Sequence, residues 1–252
     1  MMKNRMRIVM CFPVGAAICL AAVLQVRSDS QGGPSADPLL AGFQAVAIAS
    51  VSDAVDSVTG EPGFMSYDMH PIVKGRVAGW AVTVLVKPAT PDKATPQLSV
   101  KHAAEMIDNA QAGEVGIIVV EDGLNVAGIG GLMGTAAKAR DMAGVLVDGG
   151  VRDIEELRAL GLPVYARSIT PATAVGRYAS VARNTPVECA GVTVRPGDII
   201  VAGEDRVVRV PKEKAEEVLR KAQEIDEREG KMVPLINRLK SLQKAIQLFN
   251  RI

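Results

Sequence analysis

The spacing of apolar and polar positions changes several times along this chain, and the changes mark out its elements. Residues 113–121 (GEVGIIVVE) form an apolar run that predicts a buried strand, preceded by a helix over about 100–109. A rhythm follows: a helix over 132–142, a strand at 144–147, a helix over 154–160 ended by Gly161, and a strand at 163–166. Strands alternating with helices imply crossover connections and a parallel sheet. Upstream, 41–58 opens helix-like, with Ser52 and Asp53 placed to cap a short following helix, and 75–86 alternates as a strand pair. Downstream, 187–210 breaks into short strands around a turn at Pro196–Gly197 and reads as antiparallel. The tail is helical twice. Residues 212–229 are charged on one side and apolar on the other. After Gly230, Leu235, Leu239, Leu242, Ile246 and Phe249 recur at helical spacing, a stripe that packs on its own domain or on a neighbouring subunit.

The first forty residues follow a different pattern. Lys3, Arg5 and Arg7 precede an apolar run from Ile8 to about Val26, and small residues near Ser28 offer a cleavage site. Residues 1–28 therefore read as a signal peptide or as an uncleaved N-terminal membrane anchor. Both readings put the rest of the chain outside the cytoplasm, with membrane contact only through that segment. Residues 29–40, polar and carrying Gly and Pro, read as a linker, and 41–252 as one α/β domain.

Composition narrows the chemistry. Hydrophobic residues make up 48% but aromatics only 3%, so aliphatic side chains carry the packing, as suits a sheet covered by helices. The net charge is +1 and no Lys/Arg stripe is interleaved with aromatics, so nothing points to nucleic acid. Cys11 and Cys19 lie in the N-terminal apolar run, which leaves Cys189 alone in the domain, without a disulfide partner or zinc spacing. His70 and His102 are far apart, and neither adjoins a nucleophile-like turn. The glycines at 128, 130, 131 and 134 do not match the dinucleotide fingerprint.

The segment 148–153 (DGGVRD) is the strongest candidate. It follows an apolar strand and precedes a helix, the place where crossover folds bind ligands. Arg152 beside Asp153 supplies a cation for a carboxylate and a hard oxygen ligand for Mg²⁺ or Mn²⁺. The same two residues also read as a surface ion pair and an N-cap for the helix at 154–160.

The stretch GGLMGTAAKARDMAGVLVDGGVRDIEELRALGLPVYAR, followed by VECAGVTVRPGDIIVAGEDRVVRVP, resembles the RraA-like family. The similarity runs from about residue 41, through SVSDAVD and GRVAGWAVTV, to about 242. The family includes divalent-metal aldolases acting on 4-hydroxy-4-methyl-2-oxoglutarate and the regulator of ribonuclease E activity A. The resemblance implies a swivelling β/β/α domain with a central parallel or mixed sheet and C-terminal helices, assembled as a homotrimer or hexamer with sites between subunits. It implies Asp153 as the one direct protein ligand of Mg²⁺ or Mn²⁺, and Arg152 holding substrate oxygens. It implies backbone N–H groups of Gly130, Gly131, Leu132 and Met133 around a pyruvyl carboxylate. An acid from the neighbouring subunit's tail, Glu229 with Asp226 or Glu227 as alternatives, would orient water at the cation.

One position departs from the family's pattern, which is Asp, twenty residues, Arg-Asp, two residues, then an acid. Glu156 supplies the last acid, but Gly131 stands where the aldolases carry Asp. Two functions are therefore expected. One is a metal-dependent lyase cleaving a 4-hydroxy-2-oxo acid to pyruvate, or decarboxylating an oxaloacetate-like substrate. The other is a non-catalytic binding or regulatory protein with a degenerate site. Inhibition of a cytoplasmic ribonuclease does not fit an exported domain.

Overall fold

A computed structural model describes residues 37–249; residues 1–28, read as a signal peptide or anchor, and linker residues 29–36 lie outside the described residues. In chain order the elements are α1 (Pro38–Ala45), α2 (Ile48–Thr59), β1 (His70–Val73), β2 (Val77–Pro88), α3 (Pro96–Asp108), β3 (Val115–Val120), β4 (Ala127–Ile129), α4 (Gly131–Ala139), β5 (Gly144–Val151), α5 (Ile154–Leu160), β6 (Val164–Ile169), β7 (Tyr178–Arg183), β8 (Val187–Cys189), β9 (Val192–Val194), β10 (Ile199–Gly203), β11 (Arg206–Val210), α6 (Ala215–Leu239) and α7 (Leu242–Phe249).

Local chemistry explains the helix starts. Asp37 accepts a hydrogen bond from Leu39 N at 2.9 Å and Pro38 opens α1, so this helix begins inside the stretch read as linker. Thr95 and Pro96 start α3 in the same way, earlier than the apolar spacing suggested. Ser52 and Asp53, expected to cap a following helix, lie within α2. The N–H of Ala47, just before α2, donates instead to Asp226 Oδ2 on α6 at 2.8 Å.

Nine strands form one mixed sheet in the order β1-β6-β5-β3-β2-β10-β11, with β4 joined to β5 and β7 to β2. The middle strands β2, β3, β5 and β6 run parallel, and α3, α4 and α5 lie on the connections between them. The run expected as a strand pair is the single strand β2. Its residues 77–80 pair with β10 and 84–88 with β7 along one edge, while 81–86 pair with β3 along the other. Two partners in series on one edge curl the sheet until it nearly closes. The antiparallel segments around Pro196–Gly197 are as the sequence suggested: β8 pairs β9, and β10 pairs β11.

Alternation along the strands sorts the side chains into an inside and an outside. On the inside, Val77, Ala81, Val115, Ile117, Val119, Leu146, Tyr165, Ile200 and Ala202 pack with the β8–β9 hairpin. On the outside, Val84, Val86, Ile118, Val120, Val145, Val147, Val164 and Ala166 pack under α3, α4 and α5. Ala78, Ile199, Val201, Val208 and Val210 pack under α1, α2 and α6. Few of these residues are aromatic, in keeping with the composition.

The tail departs from the expected boundary. Helix α6 runs through Gly230 and Pro234 and ends only at Lys240, which takes a left-handed conformation at φ 48°. Pro234 lacks the N–H that would reach the carbonyl four residues back, and that residue is Gly230, where side-chain crowding is least. Ser241 Oγ accepts from Lys244 N at 3.3 Å and starts α7. The apolar stripe is thus split between two helices: Leu235 and Leu239 are half-buried on α6, and Leu242 is 51% exposed on α7.

Candidate active site

The site begins with an irregularity in β5. Register shifts between Val147 and Gly150, so Asp148 and Gly149 form a bulge. Gly149 sits at φ +152°, and a Cβ there would press on Val120 Cβ at 3.0 Å and on the Gly123 carbonyl at 3.2 Å. Only glycine suits that backbone. Beyond the bulge the strand resumes, and Gly150 and Val151 pair with both β4 and β6. The strand therefore extends to Val151, four residues past its expected end, and only Arg152 and Asp153 remain to turn into α5.

Asp153 is left-handed, at φ 55° and ψ 45°, a conformation Asp adopts more readily than most residues. Although it stands at the N-cap position of α5, its side chain makes no capping bond to that helix. Its Oδ2 accepts from the N–H of Gly131 at 2.9 Å, so the carboxylate serves the start of α4 instead. The positive end of α4 and Arg152, whose Nε lies 3.5 Å from the same oxygen, together hold the charge. Oδ1 has no partner among the described residues, and the side chain is 39% exposed. One oxygen is fixed and the other carries no bond from these residues.

Gly130 and Gly131 make this approach possible. A Cβ on Gly130 would run into Asp153 Oδ2 and come within 3.0 Å of Arg152 Cγ. A Cβ on Gly131 would coincide with Glu156 Oε2 and lie 2.9 Å from Glu156 Cδ. Leu132, 89% exposed, and Met133 continue the first turn of α4, where N–H groups have no carbonyl within the helix to bond. A recess of about 60 Å³ adjoins them, lined by Gly130, Met133, Arg152, Val86, Ala103 and Ala174. Gly134 lets Leu157 of α5 press against α4 with no room for a Cβ between them.

Residues 130–133, Arg152, Asp153 and Glu156 are thus brought together within one chain. Glu229 is not among them. It stands exposed on α6, which packs on α1 and α2, away from the α4–α5 layer. Of the alternatives, Asp226 is engaged by Ala47 N and Glu227 pairs with Lys231 four residues on. His102 pairs with Glu105 on its own helix at 2.9 Å. Burial pushes the Cys189 thiol well up, which leaves it unreactive.

Sequence reading missed a second charged cluster. Arg167 on β6 lies 2.9 Å from Asp148 Oδ1 and 2.8 Å from Asp68 Oδ2, while Asp148 Oδ2 accepts from Ala190 N at 2.6 Å. Burial pushes Asp68 up, but the hydrogen bonds from Arg167 and Ser66 and the Arg167 charge outweigh it and hold the carboxyl below its ordinary value. Both carboxylates raise Arg167 in turn. Asp148 and Arg167 line a cavity of about 750 Å³ at the ends of β3 and β5. In the sequence Asp148 stood in the candidate segment 148–153 and Arg167 directly after the strand at 163–166, with nothing along the chain to pair them.

Among the described residues, no group of three or more His, Cys, Asp or Glu side chains is arranged to hold a metal ion. The donor chemistry at Asp153 nevertheless suits a hard cation. Mg²⁺ keeps several waters and often takes one or two protein carboxylates, and Asp153 offers a partly exposed carboxylate with one oxygen unbonded among the described residues.

Fold and site together define a class: a mixed α/β domain with a nearly closed sheet, bearing an Arg-Asp turn at the carboxyl end of a parallel strand opposite a glycine-rich helix start. The chain belongs to the RraA-like family, whose Aldolase/RraA model matches residues 48–209. It is 34% identical over 185 residues to a putative 4-hydroxy-4-methyl-2-oxoglutarate aldolase of Halalkalibacterium halodurans, covering 71% of this chain and 80% of that protein. It is 38% identical over 120 residues to an uncharacterized protein of Methanocaldococcus jannaschii, covering 47% of this chain and 57% of that one. The chain thus spans little more than half the length of the latter. Among solved structures, an uncharacterized protein from Pseudomonas syringae superposes with a TM-score of 0.75 at 27% identity, over 86% of this chain and 96% of that one.

Proposed function

We propose that this protein is a divalent-metal-dependent lyase that cleaves a 4-hydroxy-2-oxo acid, of the 4-hydroxy-4-methyl-2-oxoglutarate type, to pyruvate, with oxaloacetate decarboxylation as a related activity. The observation that carries the reading is the state of Asp153. A carboxylate used only as a helix cap would bond its own helix; this one is turned away from α5, fixed by one oxygen and open at the other. The name of the Halalkalibacterium relative supports the same reaction class.

Asp153 would hold Mg²⁺ or Mn²⁺. When bound, such a cation polarises a 2-oxo group and stabilises the enolate left by C–C cleavage. Arg152 binds substrate oxygens beside it, as its exposed guanidinium allows. The N–H groups of residues 130–133 orient the pyruvyl carboxylate at the start of α4. An acid of an adjoining subunit's tail, Glu229 with Asp226 or Glu227 as alternatives, would complete the site by orienting water at the cation.

Gly131 favours a second reading, a binding or regulatory protein that keeps the fold without turnover. Pyruvate release from a panel of 2-oxo acids with added Mn²⁺, together with calorimetric Mn²⁺ titration, separates the two. The parent should bind Mn²⁺ and release pyruvate. Asp153→Asn, which keeps an acceptor for Gly131 N–H, should retain the fold and lose at least about 10-fold in Mn²⁺ affinity. Equal binding by parent and variant would refute the metal site, and binding without turnover would favour the regulatory reading.

A further inference from the structure

A cavity of about 420 Å³ opens at the other end of the sheet from the Arg-Asp turn. Its walls are the bend before β2, the start of β6 and the turn between β10 and β11. Strands β2 and β6 run parallel with β5, so their amino ends lie opposite the carboxyl end that carries Arg152 and Asp153. Tyr165 pins the bend, its hydroxyl donating to the Gly75 carbonyl at 2.7 Å, and burial pushes that hydroxyl up to about 12, so it stays neutral.

Arg76 on this bend is half-buried and short of an anion. Its Nη2 donates to the carbonyls of Phe43, at 2.8 Å, and Val46 at the end of α1. Nε is buried without a hydrogen-bond partner, and Nη1 makes no hydrogen bond and the guanidinium no ion pair among the described residues. Burial pulls the guanidinium below its ordinary value, and the more distant charges of Asp226 and Asp205 offset that only in part. A buried charge without a partner is costly. A Cβ on Gly203 would press on Ile48 Cδ1 at 2.6 Å and stand 3.8 Å from Arg76 Nη1, so the glycine leaves the guanidinium uncovered on that side.

The facing wall has the opposite sign. Glu204 and Asp205 make the two-residue turn between β10 and β11. Arg206 closes that turn in a left-handed conformation at φ 81°, unfavourable for a residue with a side chain, and its Nη1 donates to the Glu204 carbonyl at 3.1 Å. Lys74 pairs with Glu204 at 3.1 Å, but both are about three-quarters exposed, so the pair is weak and free to open. A plain anion in the cavity would face Glu204 and Asp205, and a plain cation would face Lys74 and Arg76. A molecule bearing both charges suits both walls. Arg76 and Asp205 stand beyond ion-pair reach yet close enough to feel each other's charge, a gap in keeping with two charges one carbon apart and a hydrogen bond at each end.

We propose that this cavity binds a free aliphatic α-amino acid as its zwitterion, with Arg76 taking the carboxylate, Asp205 the ammonium, and Ile48 and Pro71 the side chain. The site is separate from the Arg-Asp turn and does not depend on the metal reading.

Titration calorimetry of the full chain with L-leucine, L-valine and L-alanine tests it. At least one should bind saturably. N-acetyl-L-leucine lacks the ammonium and L-leucinamide the carboxylate, and each should bind at least about 10-fold more weakly than L-leucine. Asp205→Asn, a change on an exposed turn, should keep the melting temperature and lose about 10-fold or more in affinity for the amino acid that binds best. Arg76→Gln should lose at least as much; because it also loosens the end of α1, its melting curve is recorded alongside. No saturable binding by any of the three amino acids would overturn the proposal. Equal binding of L-leucine and its N-acetyl form, or of the parent and Asp205→Asn, would overturn it as well.

Discussion

Asp153 and Arg167 show how little a residue's type says about its task. Both are charged residues at or near the carboxyl end of a parallel strand, yet one keeps an oxygen unbonded among the described residues and the other is locked between two carboxylates. Arg167 is 27% exposed, so removing it leaves Asp68 and Asp148 facing each other with little water to screen them. Arg167→Met should lower unfolding stability by about 3 kcal/mol at neutral pH, measured by urea titration. Because the folded value of Asp68 lies below its ordinary 3.8, its contribution is present above that pH and is lost as pH falls toward the folded value. The stability gap between parent and Asp68→Asn should therefore be widest near neutrality and close below about pH 4. A gap that persists in acid would show that the pair contributes by shape rather than charge.

At the scale of elements, the site depends on the contact between α4 and α5. Leu157 is fully buried and fits against Gly134, and this contact holds the start of α4 beside the turn that carries Asp153. Leu157→Ala should cost about 3 kcal/mol in urea unfolding and leave a cavity under that turn. A loss below about 1 kcal/mol would mean that the two helices close the gap themselves. Elements with a strong period were legible in advance: α5, with Gly161 behind it, was placed to the residue. Elements that depend on partners were not. Strand β4 has three residues, too few for a pattern, and exists because β5 offers it an edge. Strand β5 was read short because its Asp-Gly-Gly looks like a turn, whereas its neighbours β4 and β6 keep the backbone extended past the bulge. Helix α6 outran a glycine and a proline because Met232, buried at 5% exposure, anchors it between the two.

For the whole molecule, the exposed apolar side chains of the tail bear on assembly. Val233, Leu242 and Leu248 are 56%, 51% and 68% exposed on α6 and α7, and Leu132 beside the site is 89% exposed. Such surface is a liability for a lone chain, and Glu229 stands on α6, away from the Arg-Asp turn of its own chain. We propose a homotrimer or a multiple of it. Light scattering at micromolar concentration should give three times the chain mass or a multiple of that, and a stable monomer would exclude it. Export is proposed on the same footing from the basic and apolar start of the chain. Cell fractionation should recover the protein outside the cytoplasm, and full-length protein solely in the cytosol would exclude it.

The amino-acid order alone determined the alternation of strands and helices, the parallel centre, the antiparallel hairpins and the place of the Arg-Asp turn. Each follows from local periodicity or from a cap within a few residues, which short-range sterics and burial impose. Only the tertiary structure decided what those residues touch. It turned Asp153 to α4 rather than α5, set Glu156 over Gly131, joined Asp68, Asp148 and Arg167, and left Glu229 on another face. These relations join residues that are distant in the chain or, like Glu156 and Gly131, on different helices. Spacing along one segment carries no record of them; they exist because strand register and helix packing fix distances that the sequence leaves open.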